Sequence, residues 1–221
     1  EITERIVLGH ASKYKESDLR HASLGIPIDA VLIPVKRLDG AKGRLAVPPA
    51  DRRDLALAML GDVLQAASAW PLRLIVTSDP DVAATGRQAG WRIVEDPGTG
   101  LNGAVTAGTE IARSAGASAL LVMPFDVPLA SGDDLRSLFA TAADVVVCRS
   151  DDGGTTALLR RPPDAIEPQF GPGSAGRHAG VAAAAGLHVV EVQLPGLRLD
   201  VDDLEDLWRL ARTSSPRASA V

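Results

Sequence analysis

Five segments of this chain hold residue types whose spacing could support chemistry on phosphates and anions. The first is Pro34-Val-Lys-Arg-Leu-Asp-Gly-Ala-Lys-Gly-Arg-Leu45, where Lys36, Arg37, Lys42 and Arg44 fall within nine residues of each other around Gly40 and Gly43. Glycines let a backbone approach a ligand and present its amides, and cations balance phosphate charge. Neither a Walker loop nor a Gly-x-Gly-x-x-Gly fingerprint is spelled here, and a plainly solvated basic loop is the alternative. The second segment, Met123-Pro-Phe-Asp-Val-Pro-Leu129, sets Asp126 between two prolines at the end of an apolar run. A hard divalent cation suits such a carboxylate, and so does a simple turn before Val127-Pro128. In the third, Leu197-Arg-Leu-Asp-Val-Asp-Asp-Leu-Glu-Asp-Leu207, Asp200 and Asp202 share a face of an extended strand and can offer oxygens to one metal. Alternatively Asp202 or Asp203 caps a helix whose first turn carries Glu205 and Asp206.

The fourth segment, Asp96-Pro-Gly-Thr-Gly-Leu-Asn-Gly-Ala104, leads into a helix; Asn102 is its candidate cap, and the glycines leave room for a flat base. The fifth pairs Gly153-Gly-Thr-Thr-Ala157 with Phe170-Gly-Pro-Gly-Ser-Ala-Gly-Arg-His178. Ser174 is expected to cap the helix that follows and leave its amides open to an anion, with Arg177 adding positive charge. His178 reads as a base or, more commonly for such a position, as a hydrogen-bonding residue. His10, His21 and His188 have no evident partners.

The elements that must position these groups are legible as apolar runs: 30–34, 72–77, 91–94, 119–123, 144–148, 156–159 and 188–192. Most are continuous rather than alternating, which marks strands covered on both faces. Helical stretches intervene at 51–69, 80–88, 102–114, 133–142, 174–185 and 203–212. Alternation of strands and helices predicts a wound α/β sheet with a mostly parallel order. In such a sheet ligands sit beyond the carboxyl ends of the strands. The expected organisation is a polar appendage over residues 1–27, a single domain over 28–212 and a disordered tail over 213–221.

Composition narrows the function classes. Asp plus Glu exceed Lys plus Arg, 28 against 23, and aromatics are only 3% of the 221 residues. That disfavours nucleic acid as a partner. No apolar run approaches the ~20 residues of a membrane helix, and residues 1–26 lack the apolar core of a signal peptide. The single cysteine, Cys148, sits in an apolar run and reads as a buried thiol. Without a disulfide framework the chain is expected in a reducing cytoplasm.

From Ala30 to Leu210 the chain resembles the guanylyltransferases that make the activated intermediate of the deazaflavin coenzyme F-420, the 2-phospho-L-lactate or phosphoenolpyruvate guanylyltransferase family. The pieces that carry the resemblance are, in order, Pro34-Val-Lys36 through Lys42-Gly-Arg-Leu45, Leu101-Asn102, Asp126-Val-Pro128, Gly154-Thr-Thr-Ala157, Phe170-Gly-Pro-Gly-Ser174 through Arg177-His178, and Leu199-Asp-Val-Asp202. The resemblance implies a three-layer α/β/α nucleotidyltransferase sheet, Rossmann-like and GT-A-like, related to molybdopterin-guanine-type enzymes. It departs at Phe125, where relatives often carry a smaller residue.

By that resemblance GTP and a phosphorylated three-carbon acid give a guanylyl diphosphodiester and pyrophosphate. Phosphoenolpyruvate is the expected acid, which would make enolpyruvoyl-2-diphospho-5'-guanosine; 2-phospho-L-lactate and 3-phosphoglycerate stay open. The implied roles are Lys36, Lys42 and Asp126 in catalysis, and Lys36, Lys42, Arg44 and Asn102 on the nucleotide. Thr156, Gly171 and Ser174, with Arg177, fall to the acid, and Asp126, Asp200 and Asp202 to Mg²⁺. A nucleotidyltransferase with another acceptor, such as a molybdenum cofactor or sugar phosphate, and a non-catalytic nucleotide-binding module are the competing readings. The expected partners are small molecules, with a homodimer as one option for assembly.

Overall fold

Each predicted apolar run becomes a strand: the five inner ones are largely covered on both faces, which removes them from water, and those at 91–94 and 188–192 form half-buried edges of the sheet. The computed structural model describes residues 27–40 and 48–213. Lys42 and Arg44 lie outside the described residues, as do nearly all of the 1–27 and 213–221 segments; Thr213, expected to open the tail, closes the last helix. The strands are β1 Ile28–Pro34, β2 Leu72–Val76, β3 Arg92–Val94, β4 Ala117–Val122, β5 Val145–Arg149, β6 Thr155–Arg160 and β7 Val189–Val192. The helices are α1 Pro49–Ala66, α2 Pro80–Gln88, α3 Gly100–Ser114, α4 Gly132–Ala140, α5 Ser174–Ala184 and α6 Leu204–Thr213.

The strands form one sheet in the order β3-β2-β1-β4-β6-β5-β7. Pairing is parallel except at β6, which runs antiparallel to both β4 and β5. From β1 the chain winds outward to β2 and β3, then returns to place β4 on the other side of β1. The carboxyl ends of β1 and β4 therefore diverge at a topological switch point, where a crevice opens.

The pleat sorts β1 into two cores. Val31 and Ile33 face a layer made with Met59, Leu60 and Val63 of α1, Val82 of α2, and Leu135 and Leu138 of α4. Ala30 and Leu32 face the opposite layer, with Ala104, Val105 and Ala112 of α3 and Ala175 and Ala182 of α5. This is the three-layer arrangement expected from the sequence. A fully buried side chain of this kind contributes roughly 1.5–3 kcal/mol. Helix α3 comes so near to β1 that a Cβ at Gly108 would lie 2.5 Å from Leu32 Cδ1.

One buried carboxylate fastens the chain that leaves β1 toward the crevice. Asp79 caps α2, accepting from Asp81 N at 3.0 Å and Val82 N at 3.2 Å. Its other oxygen accepts from Leu38 N at 2.9 Å, in the short 3-10 turn Leu38–Gly40. Arg53 of α1 completes the set with Nη2 at 3.0 Å. Burial opposes the charge, but the three backbone N–H groups and Arg53 outweigh it and hold the carboxyl below its ordinary value. The sequence offers Asp79-Pro80 as a helix start, and the reach back to Leu38 comes only from the fold. Asp79→Ala removes a cap and leaves the Leu38 N–H buried without an acceptor, so it should cost about 3 kcal/mol. Urea unfolding of the variant measures this; a loss below about 1 kcal/mol would show that water replaces the carboxylate there.

Candidate active site

The crevice between β1 and β4 is a cleft of about 530 Å³, within the range of small-molecule sites. Its walls are the segments that follow β1, β3 and β4, the start of β6, the loop before α5 and the strap before α6. Lys36, Asp126, Thr156, Gly171, Ser174, Asp200 and Asp202 all line it. The expected residues of the acid, metal and phosphate roles that fall among the described residues are thus gathered in one place, with two exceptions given below.

The acidic side is built around one backbone bond. Val201 N donates to Asp126 O at 2.9 Å, which lays the Asp200-Val-Asp202 strap across the end of β4. Asp203 caps α6, accepting from Glu205 N at 2.9 Å and Asp206 N at 3.1 Å. Asp202, the other candidate cap, is left to line the cleft. Burial first, then repulsion from Asp126 with smaller contributions from Asp202 and Asp152, pushes the Asp200 carboxyl up to about 6. Asp152 is itself held below its ordinary value by the Ser150 hydroxyl and by Gly154 N at 2.9 Å. Among the described residues no three His, Cys, Asp or Glu side chains form a group that could by itself hold a metal ion.

The opposite side is built from the two glycine loops. Ala175 N donates to Gly153 O at 3.3 Å, tying the loop before β6 to the first turn of α5. The cap of α5 is Gly173 in a left-handed conformation with φ of 66°, not Ser174. Ser174 is the first helical residue, and its hydroxyl bonds Thr155 Oγ1 at 2.9 Å. Thr156, the threonine expected in the acid site, bonds Cys148 O at 3.4 Å and is buried at 2% exposure. Cys148 lies inside β5, where burial raises its thiol.

Two further expectations change. Arg177 does not line the cleft: its guanidinium clamps the 169–172 loop, bonding Pro172 O and, at 2.8 Å, Gln169 O. Asn102 does not cap α3, which begins earlier, at Gly100. Its amide instead clasps the backbone of Phe170, accepting from Phe170 N at 2.8 Å and donating to Phe170 O at 3.3 Å. Both residues hold the backbone of the 169–172 loop. In both cases a polar side chain beside a helix start found a nearer backbone partner than a ligand.

Asp96, Thr155 and Phe170, which stand in the segments read from the sequence without an assigned role, and Asp152, which stands outside them, also line the cleft. Asp152 directly precedes Gly153-Gly154, and Thr155 precedes Thr156 at the start of a strand, so adjacency was the available signal.

His178 is a structural hydrogen-bonding residue. It is fully buried, with Nε2 accepting from Gln169 N at 2.8 Å and Nδ1 3.1 Å from Thr155 Oγ1. Burial first, then repulsion from Arg160 and Arg177, lowers its value to about 4. The unfolded imidazole binds its proton near pH 6.5, so between those values the unfolded state holds more protons. Stability therefore falls as pH drops through that window, by about 2 kcal/mol between pH 7 and pH 5. Denaturant unfolding at both pH values should show this loss, and His178→Gln should reduce it; an unchanged pH dependence in the variant would contradict a neutral buried imidazole.

Comparison with known proteins places this geometry. The family described as "Guanylyl transferase CofC like" matches residues 29–215. A phosphoenolpyruvate guanylyltransferase from Sphaerobacter thermophilus is 36% identical over 197 residues, covering 86% of this chain and 95% of that protein. One from Rubrobacter xylanophilus is 40% identical over 187 residues, covering 81% and 91%. A nucleotidyl transferase from Methanothermobacter shares the fold, with a TM-score of 0.63 and 17% identity over 84% of this chain and 97% of that one. No helix among the described residues is long and apolar enough to cross a membrane. An α/β sheet with its cleft at the β1–β4 switch point, matched over nearly its whole length by these relatives, makes the chain a nucleotidyltransferase that belongs to the CofC-like guanylyl transferase family.

Proposed function

We propose that this enzyme transfers the guanylyl group of GTP to the phosphate of phosphoenolpyruvate and releases pyrophosphate. The observation that carries the reading is the two-sided cleft: carboxylates and Lys36 on one wall, paired hydroxyls and glycine amides on the other. The first wall suits a triphosphate with its cation, the second a small acid. Relatives that share most of the chain carry the name of this reaction.

An oxygen of the acceptor phosphate attacks the α-phosphorus of GTP in line with the bond to the β-bridging oxygen. That bond breaks, and pyrophosphate leaves with its electron pair. The attacking phosphate is already anionic, so no general base is required. The barrier is repulsion: two unit charges at 4 Å cost about 4 kcal/mol at an effective dielectric of 20. Positioning and charge neutralisation supply most of the catalysis in such transfers. Lys36, with Lys42 and Arg44, holds the triphosphate in this scheme, and Thr156, Gly171 and Ser174 hold the acid.

The acidic wall fits Mg²⁺. This ion takes one or two carboxylates, keeps waters and adds substrate phosphates, so an open carboxylate set that forms no complete cage of its own is appropriate to it. Asp126, Asp200 and Asp202 would hold the ion, which supplies positive charge to the reacting phosphates when bound. Burial first and then repulsion from Asp126 raise Asp200 on that wall.

Protein incubated with GTP, Mg²⁺ and in turn phosphoenolpyruvate, 2-phospho-L-lactate and 3-phosphoglycerate should release pyrophosphate fastest with the first. A faster rate with another acid reassigns the acceptor, and GTP binding without turnover in all three points to a non-catalytic module. Asp126→Asn should lower kcat by about 10²-fold or more with an unchanged unfolding midpoint; turnover near the wild-type rate would exclude its role on the metal. Ser174→Ala should raise the KM of the acid about tenfold and that of GTP little; equal effects on both would mean the two walls have been exchanged.

A further inference from the structure

The hydrogen bonds around His178 have a determined direction. The Gln169 backbone N–H can only donate, so Nε2 of His178, 2.8 Å away, carries no proton. A neutral imidazole then has its proton on Nδ1. That proton faces Thr155 Oγ1 at 3.1 Å, and the threonine oxygen must accept it. The Thr155 and Ser174 hydroxyls stand 2.9 Å apart and share one of their two protons. The other proton has no acceptor among the bonds these side chains make with described residues. Both hydroxyls border the cleft. Whichever of the two donates to its neighbour, the pair as a whole turns one donor toward the cleft and never acceptors alone.

The ring cannot turn to spoil this arrangement. His178 is fully buried. The Phe170 ring meets it edge to face, with centroids 4.9 Å apart at 70°, and Asn102 clasps the Phe170 backbone from the other side. The low value of the imidazole, about 4, keeps it neutral near pH 7.

We propose that His178 is a positioning residue: held with its proton on Nδ1, it sets the direction of the Thr155–Ser174 hydroxyl pair so that the pair offers one hydrogen-bond donor to an anionic oxygen of the acceptor acid. This rests on the reading of the glycine-loop wall as the acid site. A hydroxyl pair without that anchor can present lone pairs instead, which repel a carboxylate or phosphate. The effect is on acid affinity and not on the chemical step, because no reacting atom touches the imidazole.

Two conservative variants separate this role from packing. In His178→Asn the amide reaches the place of Nδ1 and can still donate to Thr155. In His178→Gln the amide reaches the place of Nε2 and still serves Gln169, but the donor to Thr155 is gone. Steady-state kinetics with GTP, Mg²⁺ and phosphoenolpyruvate should show the acid KM raised about tenfold or more in His178→Gln. His178→Asn should stay within about threefold of wild type, with kcat and the KM of GTP close to wild type in both. In a Thr155→Val background the difference between the two variants should vanish, since the link is removed. Nitrogen-15 spectra of the histidine-labelled wild-type protein should show a protonated Nδ1 and an unprotonated Nε2 before any substrate is added. Equal losses in the two variants, or a proton on Nε2, overturn the role of His178 and leave the acid site in place. Wild-type protein that turns over GTP with no phospho-acid overturns the acid reading and this role with it.

Discussion

Charge repulsion within the cleft is the constraint on which the rest of the structure depends. Asp126, Asp152, Asp200 and Asp202 are drawn to one wall of a partly buried crevice, and burial, with repulsion from Asp126 second, pushes the Asp200 carboxyl up to about 6. A fold that needed only stability would disperse these groups, since carboxylates drawn together into a partly buried crevice lose hydration and repel one another. Instead the chain spends backbone bonds to keep them together: Val201 N on Asp126 O, and Asp203 as the α6 cap that leaves Asp202 beside Asp200. Such a wall is stabilised when positive charge arrives, and substrate-borne cations or the lysines of the β1 loop are the sources that the proposed reaction provides. Affinity for the charged ligand and tolerance of the empty cleft are two sides of one electrostatic balance.

The sheet order supplies the place for that balance. Winding outward from β1 in both directions separates the ends of β1 and β4, and the ends carry Lys36 and Asp126. The reversed strand β6 supplies the second wall. Because it runs against its neighbours, its beginning and not its end lies at the cleft edge, and Thr155 and Thr156 start it there. One antiparallel strand in a mostly parallel sheet thus brings the Thr155 and Thr156 end of β6 to the same crevice as Asp126, Asp200 and Asp202.

That reversal also marks the limit of what the sequence disclosed. All seven apolar runs are strands and all six helical stretches are helices, because burial on both faces leaves continuous runs that need no tertiary knowledge to recognise. The place of Asp126 and of the Asp200-Val-Asp202 strap at the cleft was legible from position, since they follow directly on apolar runs or precede a helix. Thr155 and Asp152 received no role: Thr155 opens the reversed strand β6, where the expectation that functional groups follow a strand does not apply, and Asp152 stands just ahead of the Gly153-Gly154 pair that drew the reading. The caps expected at Asn102 and Ser174 and the place expected of Arg177 in the cleft failed differently. Each was read from neighbours in sequence, whereas the side chain's partner is Phe170, Thr155 or Gln169, residues brought near only by the fold. A polar side chain next to a helix start has several possible acceptors within reach, and local spacing does not rank them.

Two buried polar residues beneath the cleft show why these hidden partners matter. Asp79 reaches under the chain leaving β1 and holds Leu38 N, while His178 reaches under the glycine loops and holds Gln169 N and Thr155. Neither lines the cleft, yet each ends at a loop that does. Apolar packing alone cannot orient such loops, because dispersion contacts are non-directional and glycine-rich backbone has many conformations of similar energy. A buried hydrogen bond is directional and costly to leave unmade, so one side chain under each wall is enough to select a single loop geometry. The same argument explains the opposite electrostatic responses of the two anchors. Asp79 is surrounded by donors and keeps its charge, whereas His178, beside Arg160 and Arg177, gives its charge up and works through a fixed proton. In the proposed reaction, the wall that takes the triphosphate and its cation is thereby supported by an anion that is already satisfied, and the wall that takes the acid by a neutral imidazole whose one proton faces Thr155.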